Sequence, residues 1–448
     1  YGFFSNKKIR LPSDISQKLI ITLLPIFPYF CGMLPKSEFS KNVLTVMTGT
    51  GMAQTITILF SPILTRLFTP EEFGIFYLFS ALADILVIFA TGRYELAILI
   101  PKDEKDAANT FWTAGFLSTV FSVLLFIFIY AFNIKIGTWL REPKISTWLY
   151  FLPPFILIRG WMVSFHYWYN RHKRFKIITG SKIAESSTNV GSRIGLGVLN
   201  LGTGGLIIGT LLGRLTTLLT YVYFFLKNNK EDFPKPDKAA IKLQLQRFKS
   251  FPKNMVPAGF FNASSTQLPN ILINFFYTAT VVGHYGFMNR IVRTPLSVIG
   301  RSFEEVFKQK ASEELQQIGH CKNIFYKTLK RLFAIAIIPF IIFYFASPVL
   351  FELVFGEKWL VAGQYAQIFT IPLFLNFIAS SLSSIFYLKE KTQIYSRLSF
   401  LQLSLVIFAF LLSQHYDLES KLLIYLLAIA YTISYSLMIF ILVKIVED

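Results

Sequence analysis

The sequence predicts an all-α polytopic membrane protein with about twelve transmembrane helices, arranged as two pseudo-repeated six-helix lobes around a central cavity. Three observations predict it. Apolar runs of about 20 residues, the length that crosses a bilayer as a helix, recur along the chain. Of its 448 residues 53% are hydrophobic and 15% charged, against about 25% charged in a soluble domain. The runs are also continuous rather than alternating, which argues against a β-barrel.

Taken in order, the first pair of spans is expected at 43–65 and 74–100, separated by the turn "LFTPEEF". The next four are expected near 110–132, 148–168, 183–200 and 204–226. After the longest polar connector come six more, near 255–276, 280–301, 328–350, 360–388, 394–414 and 421–443. The expected organisation is therefore a leader over 1–42, an N-lobe over 43–226, a basic connector over 227–253 and a C-lobe over 254–448. Within the leader, "QKLIITLLPIFPYFCGML" is interrupted by Pro25 and Pro28. It is short for a span and lacks a small-residue cleavage site, so an interfacial or disordered segment is expected. The chain opens on Tyr1, and Met33 is a candidate natural start. A parallel duplication is suggested by Gly74 in "GIFYLF" and Gly283 in "GHYGFM", each following a long span with a proline, Pro62 and Pro269.

The formal net charge is +19. In a soluble protein this would suggest nucleic acid; here the charge lies in short loops, where it sets orientation, and no nucleic-acid partner is expected. The stretches "NRHKRFKIITGSK", 227–253 and 301–331 are strongly basic, whereas the turns "NLGTGG" and "FYTATVV" carry no charge. The positive-inside rule places the basic loops and both termini in the cytoplasm and leaves membrane lipid as a further contact. The weakest fit is the 133–147 loop with Lys135, Arg141 and Lys144, external by the count. The external loops are too short for a catalytic domain. Cys31 and Cys321 form no CxxC pair and histidine is sparse, so no metal, disulfide framework or other cofactor is expected.

A charge at mid-span costs about 2.5–3.5 kcal/mol on insertion scales. Yet Asp84, Arg159, Arg193, Arg214 and Arg293 fall near mid-span, and Arg66, Arg93, Glu95, Glu185 and Arg290 nearer the ends. End positions suit snorkelling or a structural ion pair; mid-span arginines point to a water-filled interior. Arg290 and Arg293, three apart, share a helix face. On a continuous second span Asp84 and Glu95 would share one face, with Arg93 roughly opposite Asp84. In span seven Asn262, Thr266, Asn270 and Asn274 recur every fourth residue with Gln267 beside them, a stripe read as either a lined pathway or helix–helix hydrogen bonding. Arginine's planar fork binds phosphate and carboxylate oxygens, so an arginine-rich interior suits an anionic amphiphile rather than a cationic drug.

The blocks "MTGTGMAQTITILFSPILTRLFTPEEFGIFYLF", "ATGRYELAILIPKDEKDAAN", "GHYGFMNRIVRTPLSVIGRSFEEVFKQKASEE" and "KWLVAGQYAQIFTIPLFLNFIASSLSSIFYLKEK" resemble the Wzx-type polysaccharide biosynthesis proteins of the multidrug/oligosaccharidyl-lipid/polysaccharide exporter superfamily, in matching order over roughly 40–443. That resemblance implies a flippase, not an enzyme. It would carry undecaprenyl-pyrophosphate-linked oligosaccharide repeat units across the bacterial inner membrane by alternating access, for O-antigen, capsule or exopolysaccharide. It also implies polymerase and chain-length machinery as partners. Arg290 and Arg293 fall in its second-half block and are the first candidates for diphosphate contact; Arg66 and Arg93, in the first-half blocks, come next, with Arg159, Arg214, Asn270 and Asn274 as further cavity residues. Asp84 and Glu95 are candidates for ion coupling or gating, each with an internal salt bridge as the alternative. No GxxxxGK[ST] loop is present, so ATP is not the expected energy source. Rival readings are a multidrug exporter of the same superfamily, which predicts an acidic cavity, a membrane polymerase or glycosyltransferase, which predicts a large external loop or paired acids, and a scaffold without transport.

Overall fold

The computed structural model describes residues 38–229 and 237–447. Residues 1–37 of the expected leader, with the possible start at Met33, lie outside the described residues, and 38–42 open the first helix instead of belonging to a leader. The described chain is helical throughout and follows the expected twelve-span order.

Span 1 is Glu38–Leu59 (α1) continued by Ser61–Leu67 (α2), and span 2 is Pro70–Ala90 (α3). Thr69 and Glu72 close a capping box at the start of α3, with Pro70 in its first turn. Span 3 is Glu104–Trp139 (α4). Span 4 combines the short Ser146–Leu149 (α5) with Leu152–Arg171 (α6), and the chain bends by 50° between them. Spans 5 and 6 are Phe175–Val198 (α7) and Thr203–Asn229 (α8).

The connector contributes Lys238–Arg247 (α9) before span 7, Val256–Phe276 (α10). Span 8 is the 40-residue Ala279–Ile318 (α11). At 1.5 Å per residue it is about 60 Å long, twice the thickness of a hydrocarbon core. Span 9 is Lys322–Phe355 (α12). Span 10 is broken into Leu360–Ile368 (α13), Thr370–Leu382 (α14) and Ile385–Leu388 (α15). Spans 11 and 12 are Thr392–His415 (α16) and Ser420–Glu447 (α17).

Two expected spans need correction: span 8, expected to end near 301, runs on to Ile318, so the basic 301–331 stretch is helical on both sides of a short turn rather than a loop, and span 2 ends early. Span 2 does not run to residue 100: α3 ends at Ala90, Gly92 and Arg93 take left-handed backbone at φ 56° and 64°, and Tyr94–Leu99 forms a 3₁₀ turn. Arg93 is tolerated there because the turn is fixed from several sides. The Glu95 carboxylate, 2% exposed, accepts from the Thr91 hydroxyl and lies 3.6 Å from Arg93. With the helix broken, the angular relation expected among Asp84, Arg93 and Glu95 no longer holds.

The two sets of six helices meet along one tight seam, α3 against α11. A Cβ on Gly74 would lie 1.7 Å from the Ala279 carbonyl oxygen, and one on Gly283 would lie 1.8 Å from that of Pro70. Each glycine thus meets the carbonyl four residues ahead of the other, as a two-fold relation between repeats requires. Only glycine permits backbones this close.

The end of the bundle bearing the short turns between spans 1 and 2 and between spans 7 and 8 is sealed around this crossing. Trp359, fully buried, donates its indole N–H to the Thr65 carbonyl at 3.2 Å. Its ring packs 4.3 Å from Phe287 and 5.2 Å from Phe73. The 133–147 loop sits at this end, and its cations are occupied: Lys144 pairs with Glu71 and Arg141 stacks on Phe275 of α10 at 4.6 Å. At the opposite, basic end, Asp106 of α4 accepts from Gln244 at 3.0 Å and Arg247 at 2.8 Å of α9, and Tyr94 donates to the Leu245 carbonyl at 2.9 Å.

Candidate functional site

Seven single helices and the bent fourth span are long and apolar enough to cross a membrane on composition alone. The four spans that fail that test are α1 with α2, α7, α10 and α11. They carry Gln54, Thr57, Arg193, Gln267 and Arg290, polar side chains at the interlobe contact, and a helix that faces a polar interior does not need an apolar surface all round.

Between the two sets of helices, just beneath the sealed end, lies a cavity of about 250 Å³. Its walls carry Gln54, Thr57 and Ser61 from span 1, Arg193 from α7, and Arg290 and Thr294 from α11. Residues 54, 57 and 61 recur at helical spacing on one face. The Gln54 side-chain oxygen is buried there without a hydrogen-bond partner, a costly state unless water or a ligand reaches it.

The interior arginines, Arg193 buried and the rest partly so, divide into two groups by their partners. Arg93, Arg159 and Arg214 are compensated, by Glu95 at 3.6 Å, Asp84 at 3.4 Å and Glu185 at 3.7 Å. Among the described residues no carboxylate lies within ion-pair distance of Arg193, Arg290 or Arg293. Arg193 is 2% exposed, donates to the Thr210 hydroxyl and stacks on Phe76 at 4.6 Å. Arg290 faces the buried Tyr77 across the seam. Arg293 turns the other way, 5.6 Å over Tyr431 and beside Tyr285 and Tyr435. The expected shared face of Arg290 and Arg293 is therefore divided: one looks into the cavity, the other into a tyrosine cage among α11 and α17.

The other candidates are placed as follows. Arg66 is exposed at the sealed end and bonds its own helix at Pro62, away from the cavity. Its neighbours Pro62 and Leu67 leave it at the last turn of α2, so it is not a cavity wall. Arg159 and Arg214 lie inside the first six helices, Arg214 stacked on Phe155 at 4.8 Å. Asn274 is 2% exposed and donates to the Leu140 carbonyl at 2.8 Å; it fastens α10 to the end of α4 and is not a wall of this cavity.

Asn270 donates to Gln267 at 3.1 Å, and Gln267 donates to Asp84 at 3.1 Å. With Arg159 on its other oxygen, Asp84 becomes the junction between α6 of the first set and α10 of the second. The upper half of the span-seven stripe is thus helix–helix hydrogen bonding, and only Asn262 and Thr266 remain exposed. Glu95 is enclosed by Thr91 and Arg93. Arg93 also closes on α10, where a Cβ on Gly259 would lie 2.4 Å from its guanidinium.

Arg193 was legible as a mid-span charge but not as a wall of this cavity; Gln54 and Thr57 gave no signal beyond their helical spacing.

A polytopic helical membrane protein with two six-helix lobes, a polar interlobe cavity and one closed end is the class this architecture defines. Solved structures of that class are similar in fold. A multidrug resistance MATE family transporter of the MOP superfamily in an inward-facing conformation aligns at 15% identity over 88% of this chain and 94% of its own, with a TM-score of 0.57. The lipid II flippase MurJ in an inward closed conformation aligns at 14% over 89% and 87%, with a TM-score of 0.69. A MOP superfamily transporter from Pyrococcus furiosus, described as having a binding pocket of reverse polarity, aligns at 13% over 93% and 98%, with a TM-score of 0.60. No curated protein matches the sequence. The family described as polysaccharide biosynthesis protein matches residues 63–364, and the chain belongs to that family.

Proposed function

We propose that the protein is a flippase for undecaprenyl-pyrophosphate-linked oligosaccharide units, moving them across a bacterial inner membrane for surface polysaccharide assembly. The observation that carries this reading is the pair Arg193 and Arg290, two guanidiniums without a carboxylate partner at one interlobe cavity. Such a site lacks an anion of its own, and a diphosphate supplies one through several charge-assisted hydrogen bonds. Membership in a polysaccharide biosynthesis family supports the sugar-linked cargo. The prenyl tail stays in lipid while the sugars fill the polar space between the lobes.

In this reading the basic end and both termini are cytoplasmic, the sealed end faces out, and 43–226 and 254–448 are lobes rocking about the α3–α11 seam, joined by the 227–253 connector. Asp84 is the candidate coupling site, because its ionisation state bears on both Arg159 and Gln267 and so on both lobes. Polymerase and chain-length machinery are the expected recipients. An exporter of cationic drugs is disfavoured by the same arginines.

The test is complementation of a flippase-null bacterium at matched expression, comparing wild type with Arg290→Ala. Restored surface polysaccharide with wild type, and lipid-linked units retained inside with the variant, is the expected pattern. Normal polymer from Arg290→Ala would remove the cavity arginine from the mechanism.

A further inference from the structure

The walls of the cavity differ in chemistry. The part contributed by α7 and α11 carries the guanidiniums of Arg193 and Arg290, groups that only donate hydrogen bonds. The part contributed by span 1 offers acceptors. Thr57 gives its hydroxyl proton to the Ala53 carbonyl at 3.2 Å, and Ser61 gives its own to the Ile58 carbonyl at 2.6 Å, which leaves each with lone pairs alone for a partner in the cavity. The third group is the Gln54 oxygen, buried with no donor in reach. At 54, 57 and 61 the acceptors climb one helical face over two turns. The rings of Phe73 and Phe287 add an apolar surface to the same cavity.

An anion satisfies the arginines and cannot satisfy span 1, because a phosphate oxygen against Gln54, Thr57 or Ser61 would set acceptor against acceptor. Helix packing does not account for these residues either. A hydroxyl can settle its proton on its own helix, as Thr57 and Ser61 do, but a carboxamide oxygen has no such outlet, and leaving it unpaired is costly. A cation would bring donors, but Arg193 and Arg290 repel one. The fitting partner is a neutral donor attached to an anion, as are the hydroxyls, or an acetamido N–H, of a sugar esterified to phosphate. Size limits how much of it enters. At about 250 Å³ the cavity falls below the roughly 300–1,000 Å³ of sites that enclose a drug-sized molecule. With a diphosphate at the arginines, it has room for the adjoining sugar and not for an oligosaccharide.

We propose that Gln54, Thr57 and Ser61 form a subsite for the sugar directly attached to the diphosphate, reading its hydroxyl or acetamido donors, with Gln54 as the specificity-determining residue. Sugars further along the unit stay outside this cavity and are not read by it. The inference rests on the flippase reading above and adds to it the part of the cargo that the site discriminates.

The experiment is titration calorimetry on the purified full-length protein in micelles. The probes are farnesol, farnesyl diphosphate, and farnesyl diphosphate bearing one glucose, galactose or N-acetylglucosamine on its terminal phosphate. Wild type should bind the best sugar-bearing probe about tenfold or more tighter than bare farnesyl diphosphate. Gln54→Met, which keeps the length of the side chain and removes the acceptor, should cut that ratio by about tenfold. Thr57→Val, which keeps the shape, should cut it by a smaller factor, and it decides alone if Gln54→Met does not fold. Arg290→Ala should instead weaken all the diphosphate probes together. No gain from any of the three sugars, or a gain that neither span-1 variant lowers, overturns the subsite and leaves the flippase reading standing, with water then sufficient for the Gln54 oxygen. Equal binding of farnesol and farnesyl diphosphate overturns the flippase reading itself.

Discussion

A methyl group on Gly74 tests whether the α3–α11 seam is a moving contact. In the present structure the Cβ of Gly74→Ala would lie 1.7 Å from the Ala279 oxygen, and real contacts essentially never fall below 3.0 Å, so the two backbones must part by at least 3.0 − 1.7 = 1.3 Å. Neither side is a flexible tip: one is a helix backbone, the other the first turn of a helix. Overpacking of this kind costs about 1–3 kcal/mol, and about 2 kcal/mol is roughly a thirtyfold shift between two states. If the seam opens during transport, that cost falls only on the sealed state, and the population moves towards the open one. The assay is labelling of Thr65→Cys, at a position 3% exposed behind Trp359, by a membrane-impermeant maleimide. Labelling should rise by about thirtyfold in Gly74→Ala with little change in melting temperature. Gly283→Ala should do the same, and the double variant should fall short of additivity because the two methyls relieve one another by the same separation. Unchanged labelling with unchanged stability would show that the seam absorbs the methyl. A collapsed melting temperature without increased labelling would show a permanent packing contact. Either result refutes the reasoning.

Other predictions follow from neighbouring contacts. Trp359→Ala removes a fully buried ring and its bond to Thr65; stability should drop by about 3–5 kcal/mol by chemical denaturation in micelles, and Trp359→Phe should recover most of it. Asp84→Asn keeps an acceptor for Gln267 but leaves Arg159 uncompensated; if Asp84 couples transport as proposed, flux in vesicles should fall at least tenfold and any response to an imposed ion gradient should be lost. Asp106→Ala frees both Gln244 and Arg247; amide exchange over 238–247 should accelerate several-fold with the twelve spans unaffected. The Lys144 ammonium is held above its ordinary range by the adjacent Glu71 carboxylate. A raised lysine pKa adds stability fully present below the unfolded value and lost as pH rises through the folded one. On the alkaline side the pair should therefore be insensitive to pH through the neutral range and weaken in strong alkali, a step that Lys144→Met should abolish in a thermal scan.

The span order was legible because bilayer crossing imposes length and apolarity on each segment, and the two glycines flagged as repeat markers are the ones that meet. The break after Ala90 was not legible. "IFATGRYELAILI" stays apolar on both sides, so hydropathy has nothing to mark it, and the left-handed pair Gly92 and Arg93 depends on contacts with Thr91, Glu95 and Gly259. Lys182 was absorbed into a basic loop because the apolar window opens at 183, whereas the helix starts two turns earlier at Phe175. The stripe on span seven illustrates the converse limit. Periodicity correctly put Asn270 and Asn274 on one face, but whether that face meets water or Leu140 is decided by a residue 134 positions away. Arg290 and Arg293 share a face of α11 as expected, but a 100°-wide stripe is broad enough to straddle two environments, the cavity and the cage around Tyr431.

The division between compensated and uncompensated arginines carries the functional argument further than their number does. A guanidinium buried with a carboxylate is close to neutral as a unit and can be scaffold. Arg214 with Glu185 fits that role inside one lobe, whereas Arg159 with Asp84 is tied through Gln267 to the other. Arg193 and Arg290 come from different lobes and confront each other at the cavity. Without an anion their mutual repulsion favours separation of the lobes at that level; with one it favours approach. A bound diphosphate therefore has a differential interaction with the two arrangements, which is what a ligand needs in order to shift a conformational equilibrium. A neutral lipid of the same shape has none, and should occupy the cavity without driving the cycle.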